Sequence, residues 1–265
     1  MNDKSYETLL LQTPSEFVLQ VTLNRPEAAN AFNTQMATDL MQCFEQIALE
    51  QADYRCVILT GAGDRAFCAG GDLKERDGMS NAAWTAQHLI YERMIRAVID
   101  CPVPVIAAVN GAAYGGGCEL AAGVDFIYAA EHARFAMTET SLGIIPGAGG
   151  TQTLARAVGE RRAKELILSA RPFSAEEARQ WGLVNAVLPS EQLLGEVLQT
   201  AMAIAANAPV AVRQARQAIH RGLQMSLADG LAFEIEAYHR TVPTADRREG
   251  VRAFVEKRKP EFKGE

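Results

Sequence analysis

Two carboxylates and two glycine-rich stretches are the residues of this 265-residue chain whose types and spacing could do chemistry. Glu119 follows Gly115-Gly116-Gly117-Cys118, in the setting VPVIAAVNGAAYGGGCELAAGVDF. Glu139 lies twenty residues further on, in Arg134-Phe135-Ala136-Met137-Thr138-Glu139. A pair of carboxylates in a dry pocket can divide into an acid and a base. In the first turn of a helix, Glu119 would be favoured in its ionised form by the helix dipole. Each also has a plain structural explanation: Glu119 as a capping side chain, Glu139 as part of a surface turn.

The glycines open a second kind of chemistry. Glycine costs about 1 kcal/mol inside a helix, yet it lets a backbone approach another molecule closely. Phe67-Cys68-Ala69-Gly70-Gly71-Asp72-Leu73-Lys74 shares the local design of the first stretch: an apolar strand, small residues, then a helix or turn. The first N–H groups of a helix have no internal partner. Such donors suit a phosphate or a developing oxyanion. If the two loops converge, they offer one N–H each, a two-donor oxyanion hole. Taken singly, either loop is also explained by close helix–strand packing. Cys118 has no GxSxG-like elbow around it and no histidine near in sequence, so it reads as a buried structural thiol rather than a nucleophile.

The elements that must position these groups alternate between strand and helix. Residues 16–23 are β-rich and alternating. Residues 33–53 read as a helix, with Met36, Leu40, Phe44 and Ile47 at helical spacing. Strands are expected at 55–60, 103–109 and 124–130, and helices at 84–99 and 119–123. A glycine-rich loop at 147–150 precedes a helix over 151–158. Ser174 and Glu177 form a capping box before a helix at 175–181. From about residue 206 onward only helical periods appear; Pro209 suits a first turn, and Ser226 with Asp229 caps the next helix. This is an α/β pattern followed by an all-helical end, with no Pro/Ser-rich linker between them.

Composition excludes several classes. A chain 48% hydrophobic and 22% charged can bury a large core. A formal net charge of -6 argues against nucleic-acid partners. The start, MNDKSYETLL, has no cationic region followed by an apolar run, so no signal peptide is expected. The longest apolar run, 104–109, is far short of the roughly 18 residues of a membrane span, so no membrane partner is expected. Five cysteines, an odd count without CxxC spacing, argue for free thiols in a reducing compartment, hence the cytoplasm. Four histidines without HxxxH or HExxH spacing predict no metal site. Residues 61–66 match GxGxxA, which resembles a dinucleotide fingerprint. That motif needs a helix opening at its glycines, and the chain here runs into a short, glycine-broken stretch instead.

The ordered run of motifs resembles the enoyl-CoA hydratase/isomerase (crotonase) superfamily over nearly the whole chain. The matching stretches are Leu23-Asn24-Arg25-Pro26, residues 67–72, residues 111–119, GIIPGAGGTQ at 143–152, DRREG at 246–250 and FVEKR at 254–258. The resemblance implies a core domain over 1–205, a spiral of ββα units, and a helical trimerisation region over 206–265. A trimer, or a hexamer built as a dimer of trimers, is expected. It implies hydration of the 2,3-double bond of an acyl-CoA thioester, with no cofactor beyond the CoA carried by the substrate. The positions matching the oxyanion hole are Gly71 and Gly116, with the helix that starts there stabilising the enolate. Glu119 and Glu139 match the two hydratase glutamates, of which family members with other chemistries commonly lack one. CoA is expected along Ala69, Gly71, Asp72 and Leu73, mainly through backbone contacts. Arg65 and a neighbouring subunit's Lys257 are expected at its phosphates.

Within the family, residues 67–80, 163–171 and 242–265 look similar to hydratases of 3-methylglutaconyl-CoA and isohexenylglutaconyl-CoA, which act in branched-chain amino acid or acyclic terpene breakdown. Gly71, where many hydratases have Ala, and Cys118, where the glutaconyl-type relatives often have Leu, depart from that pattern. An acyl group with a distal carboxylate needs a cation or several donors in its pocket. Lys74, Arg76, His88, Arg93 and Arg96 are the available groups in the variable segment, unless they lie on the outer face of a helix. The rival activities are a generic short-chain hydratase, an enoyl-CoA isomerase, and RNA binding, the last as in a related animal branch. The helix expected over 33–53 has no Lys or Arg and carries Asp39, Glu45, Glu50 and Asp53, which would repel a phosphate backbone.

Overall fold

The chain opens on an antiparallel hairpin of β1 (Leu9–Ser15) and β2 (Val18–Leu23). The computed structural model describes residues 6–50 and 53–265. Helix α1 (Thr34–Leu49) follows, started by the Asn33 side chain, which accepts a hydrogen bond from the Met36 N–H at 2.9 Å. One pattern then recurs: a long strand, a short strand, and helix. The first unit is β3 (Cys56–Gly61), β4 (Ala66–Cys68), α2 (Leu73–Arg76) and α3 (Asn81–Ile99). The second is β5 (Val105–Val109), β6 (Ala112–Tyr114) and α4 (Gly116–Gly123). The third is β7 (Phe126–Ala130), β8 (Arg134–Ala136), then α5 (Gly150–Val158) and α6 (Glu160–Ser169). After β9 (Phe173–Ser174) and α7 (Ala175–Gln180), β10 (Ala186–Leu188) completes the strands.

The long strands join one six-stranded sheet in the order β1-β2-β3-β5-β7-β10, parallel from β2 onward. The short ones form a second sheet, β4-β6-β8-β9, in which only the last pair is antiparallel. This is the expected ββα spiral. Every residue of β3 and β5 is buried, as suits parallel strands covered on both faces. Helix α8 (Ser190–Ala205) packs on the large sheet through Leu193, Val197, Ala201 and Ala205. The remaining helices are α9 (Pro209–Gly222), α10 (Leu227–Thr241) and α11 (Ala245–Val255). Arg216 of α9 pairs with Asp125 at 2.7 Å and donates to the Ile99 carbonyl at 2.9 Å. Arg55 ties the C-terminal end back, donating to the Ala205 and Phe262 carbonyls. No single helix among the described residues is long and apolar enough to cross a membrane.

Element positions follow the sequence reading, with informative differences. Helix α1 stops at Leu49; residues 51–52 of its expected extension lie outside the described residues. Asp39 is not on the charged face of that helix. It is buried, and its carboxylate accepts from the Thr8 N–H and hydroxyl at 3.0 and 2.7 Å. The capping box at Ser174 and Glu177 is present in both directions. Helix α3 begins at Asn81, under a Ser80 cap, rather than at 84. Helix α4 begins at Gly116, so two of the three glycines lie inside its first turn.

One buried side chain fastens the loops that lead to the site. Asn30 is fully buried with φ 55°. Its amide donates to the Ala62 and Ala66 carbonyls at 3.0 and 2.8 Å, and its oxygen accepts from the Arg25 N–H at 3.0 Å. Asn tolerates this left-handed backbone better than Ala does. Asn30→Ala leaves three backbone groups without their partner, the Ala66 carbonyl buried and the other two half-buried, and should cost roughly 2–3 kcal/mol. The check is the shift of the urea unfolding midpoint; a variant within about 0.5 kcal/mol of the parent would show that the loops do not depend on it.

Candidate active site

The two glycine loops converge on Phe32. The Phe32 N–H donates to the Gly70 carbonyl at 2.8 Å, and the Asp72 N–H donates to the Phe32 carbonyl at 3.0 Å, a parallel bridge centred on Gly71. In a parallel bridge the residues on either side of the centre carry the hydrogen bonds, so the Gly71 N–H points away from Phe32. Gly116 opens α4, which leaves its N–H among the orphan donors of the first turn. A Cβ built on Gly70 would lie 3.1 Å from the Gly116 nitrogen, so the loops are in contact. Neither the Gly71 nor the Gly116 N–H has a backbone acceptor among the described residues.

Each glycine of the triplet answers a different constraint. Gly115 has φ 51° and ψ -125°, and a Cβ there would meet Glu139 Oε1 at 3.1 Å. A Cβ on Gly116 would lie 2.4 Å from Phe32 Cζ. One on Gly117 would lie 2.0 Å from the Cys68 carbonyl oxygen, so α4 could not rest against β4. The helix is therefore started by residues that could not carry any side chain in this arrangement.

Glu119 projects from the first turn of α4 and is 3% exposed. Its Oε1 accepts from the Ala148 N–H at 2.8 Å and the Gly150 N–H at 2.7 Å. Gly150 is the first residue of α5, so a second helix N-terminus faces this carboxylate. Burial pushes the Glu119 carboxyl up to about 7; the Gly150 N–H opposes this, the Glu139 charge adds to it, and the Ala148 N–H opposes it again. Glu139 begins a 3-10 turn over Glu139–Leu142 and is 7% exposed. Its Oε2 is shielded from solvent and has no hydrogen-bond partner. Burial raises its pKa as well, against a hydrogen bond from its own backbone. Both glutamates thus leave the roles of capping residue and surface turn that the sequence left open.

Glu119, Glu139, Gly71 and Gly116 line one cleft of about 580 Å³. Leu142, Ile144 and Ile145 also line it, as do Trp84, His88 and Tyr91 of α3. The rings of Phe32 and Tyr91 meet edge-on at 4.8 Å, and the Tyr91 hydroxyl donates to the Phe32 carbonyl at 3.0 Å. Of the residues expected along CoA, Ala69, Gly71 and Leu73 line the cleft. Asp72 is committed elsewhere: one oxygen accepts from the Lys74 N–H at 3.1 Å and the other pairs with Arg25 at 3.0 Å. Arg65 is exposed on the turn before β4, and Lys257 is exposed just beyond α11; neither lines the cleft of its own chain. Among the cations of the variable segment, Arg76 and His88 line it, whereas Lys74, Arg93 and Arg96 are exposed.

Cys118 is buried one residue from Glu119, and burial foremost, then the Glu139 and Glu119 charges, push its thiol well above the ordinary range. It is a structural thiol. All five cysteines are buried and none forms a disulfide. No group of three or more potential metal-ligating side chains occurs among the described residues. The N–H groups of Ala148 and Gly150 were missed from sequence. The loop at 147–150 was visible, but nothing in it names its partner 29 and 31 residues away.

The enoyl-CoA hydratase/isomerase family model matches residues 13–265. The chain belongs to that family. It is 42% identical over 244 residues to a short-chain-enoyl-CoA hydratase of Clostridium acetobutylicum, covering 92% of this chain and 93% of that one. It is 40% identical over 255 residues to a 2,3-dehydroadipyl-CoA hydratase of Escherichia coli, covering 96% and 98%. The crystal structure of an enoyl-CoA hydratase from Bacillus anthracis superposes with a TM-score of 0.96 at 46% identity, covering 98% of this chain and 100% of that one. Family and relatives make the protein a hydro-lyase of the enoyl-CoA hydratase type. The crotonase spiral that the resemblance implies is confirmed by this structure.

The raised pKa of Glu119 has a consequence for stability. Between its ordinary value of 4.5 and about 7, the unfolded chain ionises this carboxyl before the folded one does. Folding is unpenalised below that window, loses stability through it, and carries the full penalty above it. Glu119→Gln keeps an oxygen for both N–H donors and removes the penalty. At about 1.4 kcal/mol per unit, the variant should be more stable than the parent at pH 8 by up to roughly 3–4 kcal/mol. The advantage should shrink towards pH 4.5. Thermal melts at pH 8 and pH 5 measure it; equal shifts at both pH values would refute the buried, raised carboxyl.

Proposed function

We propose that this cleft adds water across the 2,3-double bond of an acyl-CoA thioester, with Glu119 and Glu139 as base and acid and the Gly71 and Gly116 N–H groups on the thioester oxygen. The observation that carries this reading is the convergence of two unengaged N–H groups beside two buried, raised carboxyls in one cleft. Glu119 suits the base, because two N–H donors support its ionised form. Glu139 suits the acid, because its partnerless oxygen favours the protonated form. Glu119 takes a proton from water as the water oxygen bonds to C3. The displaced electron pair moves through C2 to the thioester oxygen, where two N–H groups and the start of α4 hold the enolate. Glu139 then gives its proton to C2. The product is a 3-hydroxyacyl-CoA, and solvent returns the proton from Glu119 to Glu139.

The same reading places CoA along the backbones of Ala69, Gly71, Asp72 and Leu73. It places the CoA phosphates near Arg65 and a neighbouring subunit's Lys257, whose exposure suits groups facing solvent. CoA is part of the substrate, and no further cofactor enters the steps. Ile219 of α9, Leu223 just beyond it, and Leu227, Leu231, Ile235 and Tyr238 of α10 leave an exposed apolar face, which supports assembly into a trimer or hexamer through residues 206–265. Five buried cysteines without a disulfide fit a reducing compartment, and we place the enzyme in the cytoplasm.

For the acyl group we favour a branched glutaconyl-CoA, on the likeness of residues 67–80, 163–171 and 242–265 to hydratases of that class. A generic short-chain hydratase is the alternative. The two hydratases compared above are named for different acyl groups at nearly equal identity, so overall similarity favours neither. Values of kcat/KM across a panel of enoyl-CoA thioesters distinguish them. A preference of tenfold or more for 3-methylglutaconyl-CoA over crotonyl-CoA supports the branched class, and the reverse preference supports the generic one.

Removing either carboxylate should cost at least about 100-fold in kcat, the ordinary scale for general acid–base groups. Glu119→Gln and Glu139→Gln are assayed by loss of the conjugated thioester absorbance, with the 3-hydroxyacyl product identified. Near-parental rates in both would end the two-carboxylate mechanism, and a shifted double bond instead of the hydroxyl would make the enzyme an isomerase. Gly116→Val drives a side chain into Phe32 and should lower kcat by roughly 100-fold, the cost of about 3 kcal/mol for one oxyanion donor. Unchanged turnover in a folded Gly116→Val protein would remove that N–H from the mechanism.

A further inference from the structure

Arg76 is a buried cation with half of its hydrogen-bonding edge unused. It is 8% exposed and lines the cleft that holds Glu119 and Gly71. Its Nε donates to Gln87 Oε1 at 2.8 Å. The guanidinium carbon lies 4.2 Å from the centre of the Trp84 ring and 4.8 Å from that of Tyr91. Its Nη2 is shielded from solvent and has no hydrogen-bond partner. No carboxylate among the described residues lies within 4.0 Å of the group.

The neighbouring acids are already engaged. Glu75 accepts on Oε2 from the Thr34 N–H at 2.9 Å and from Gln87 Nε2 at 2.7 Å. Gln87, itself buried, also donates to Thr34 Oγ1 at 2.8 Å. This network fixes the Nε side of Arg76 and leaves the Nη2 edge to something else. His88, the other basic side chain in the cleft, faces Glu92 at 3.8 Å. A buried charge without a counter-charge is strongly unfavourable, and a guanidinium fork matches a carboxylate edge to edge. The Trp84 and Tyr91 rings cover its faces, and the Tyr91 hydroxyl, which also hydrogen-bonds the guanidinium, leaves Nη2 unpartnered.

We propose that Arg76 receives a carboxylate at the far end of the acyl group, and so selects enoyl-CoA esters of dicarboxylic acids. The inference rests on the hydratase reading of the cleft and names the residue that sets its substrate class. The reach is suitable. The Tyr91 ring touches both ends: a Cβ on Gly71 would lie 3.4 Å from its Cε2, and Arg76 stacks on the same ring. A short acyl chain held by its thioester oxygen at Gly71 has one ring to cross before it meets the guanidinium. The carboxylate would complete the unused Nη2 edge once a small rotation of the guanidinium brings that edge to the cleft, while Gln87 keeps the group from swinging away. A straight-chain ester of the same length would leave that edge unpaired.

The test compares kcat/KM for 3-methylglutaconyl-CoA and crotonyl-CoA in the parent, Arg76→Met and Arg76→Lys. The parent should prefer the dicarboxylic ester by tenfold or more. Arg76→Met should lower that ratio at least tenfold, mainly through KM for the dicarboxylic ester, and Arg76→Lys should recover part of it. A parent without the preference, or an Arg76→Met variant that loses both activities in equal proportion, overturns the proposal while leaving hydration itself intact. A parent that hydrates neither ester overturns the hydratase reading and this inference together. Should the variants fail to fold, inhibition of the parent decides. The dicarboxylic product 3-hydroxy-3-methylglutaryl-CoA should bind at least tenfold more tightly than 3-hydroxybutyryl-CoA, and equal inhibition overturns the proposal.

Discussion

The site depends on a carboxylate held dry between two helix N-termini. Glu119 leaves the first turn of α4 and is met by N–H groups at the start of α5, one of them from Gly150. Without those donors a carboxylate this buried would hold its proton too tightly to act as a base near neutral pH. Without the burial it would be ionised but too weak a base, and water would compete at the reacting carbons. The two opposing influences leave Glu119 near the point where either protonation state is accessible. Gly150 serves the same end sterically, since a Cβ there would lie 2.8 Å from Glu119 Cγ.

The repeat explains how so few residues converge. Gly71 follows β4, Gly116 follows β6, and Glu139 follows β8, so three successive short strands of one sheet deliver their C-terminal loops to a common edge. Parallel neighbours point their loops the same way. The close approach of these loops is then set by what their side chains lack. Gly117 lets α4 rest on the Cys68 carbonyl, and Gly116 lets Phe32 fit between the loops. Phe32 in turn carries the bridge that turns the Gly71 N–H outward.

Much of this was legible in the sequence, for identifiable reasons. Long buried strands such as β3 and β5 announce themselves as apolar runs, and glycine triplets and paired glutamates are visible as residue types. The capping box at Ser174 is a local signal and survives intact. The short strands β4, β6 and β8 have three residues each, too few to display any period, and they are the ones that aim the loops. Asp39 looked like a solvent charge because its partner, Thr8, lies 31 residues away on another element. The same limit hid the donors to Glu119. Pairing across the fold leaves no mark on the spacing of either partner.

Arg76 and Lys74 show the limit most sharply, because two cations two residues apart meet opposite fates. Helix α2 is a single turn held by the Asp72 cap, and its orientation decides which side chain turns inward. Asp72 is fixed by Arg25 and the α2 turn rather than by the cleft. The orientation of Arg76 therefore depends on an ion pair outside the pocket. Such an arrangement separates two demands. In the proposed reaction the glutamates and N–H groups act at the thioester end, and their placement follows from the repeat, which any acyl chain can use. The wall contributed by α2 and α3, which we propose meets the other end of the substrate, lies outside the repeated strands. Side chains there can change in size or charge without disturbing the hydrogen bonds that hold Glu119. One scaffold can thus keep its chemistry while its choice of acyl group is rewritten from a single turn of helix.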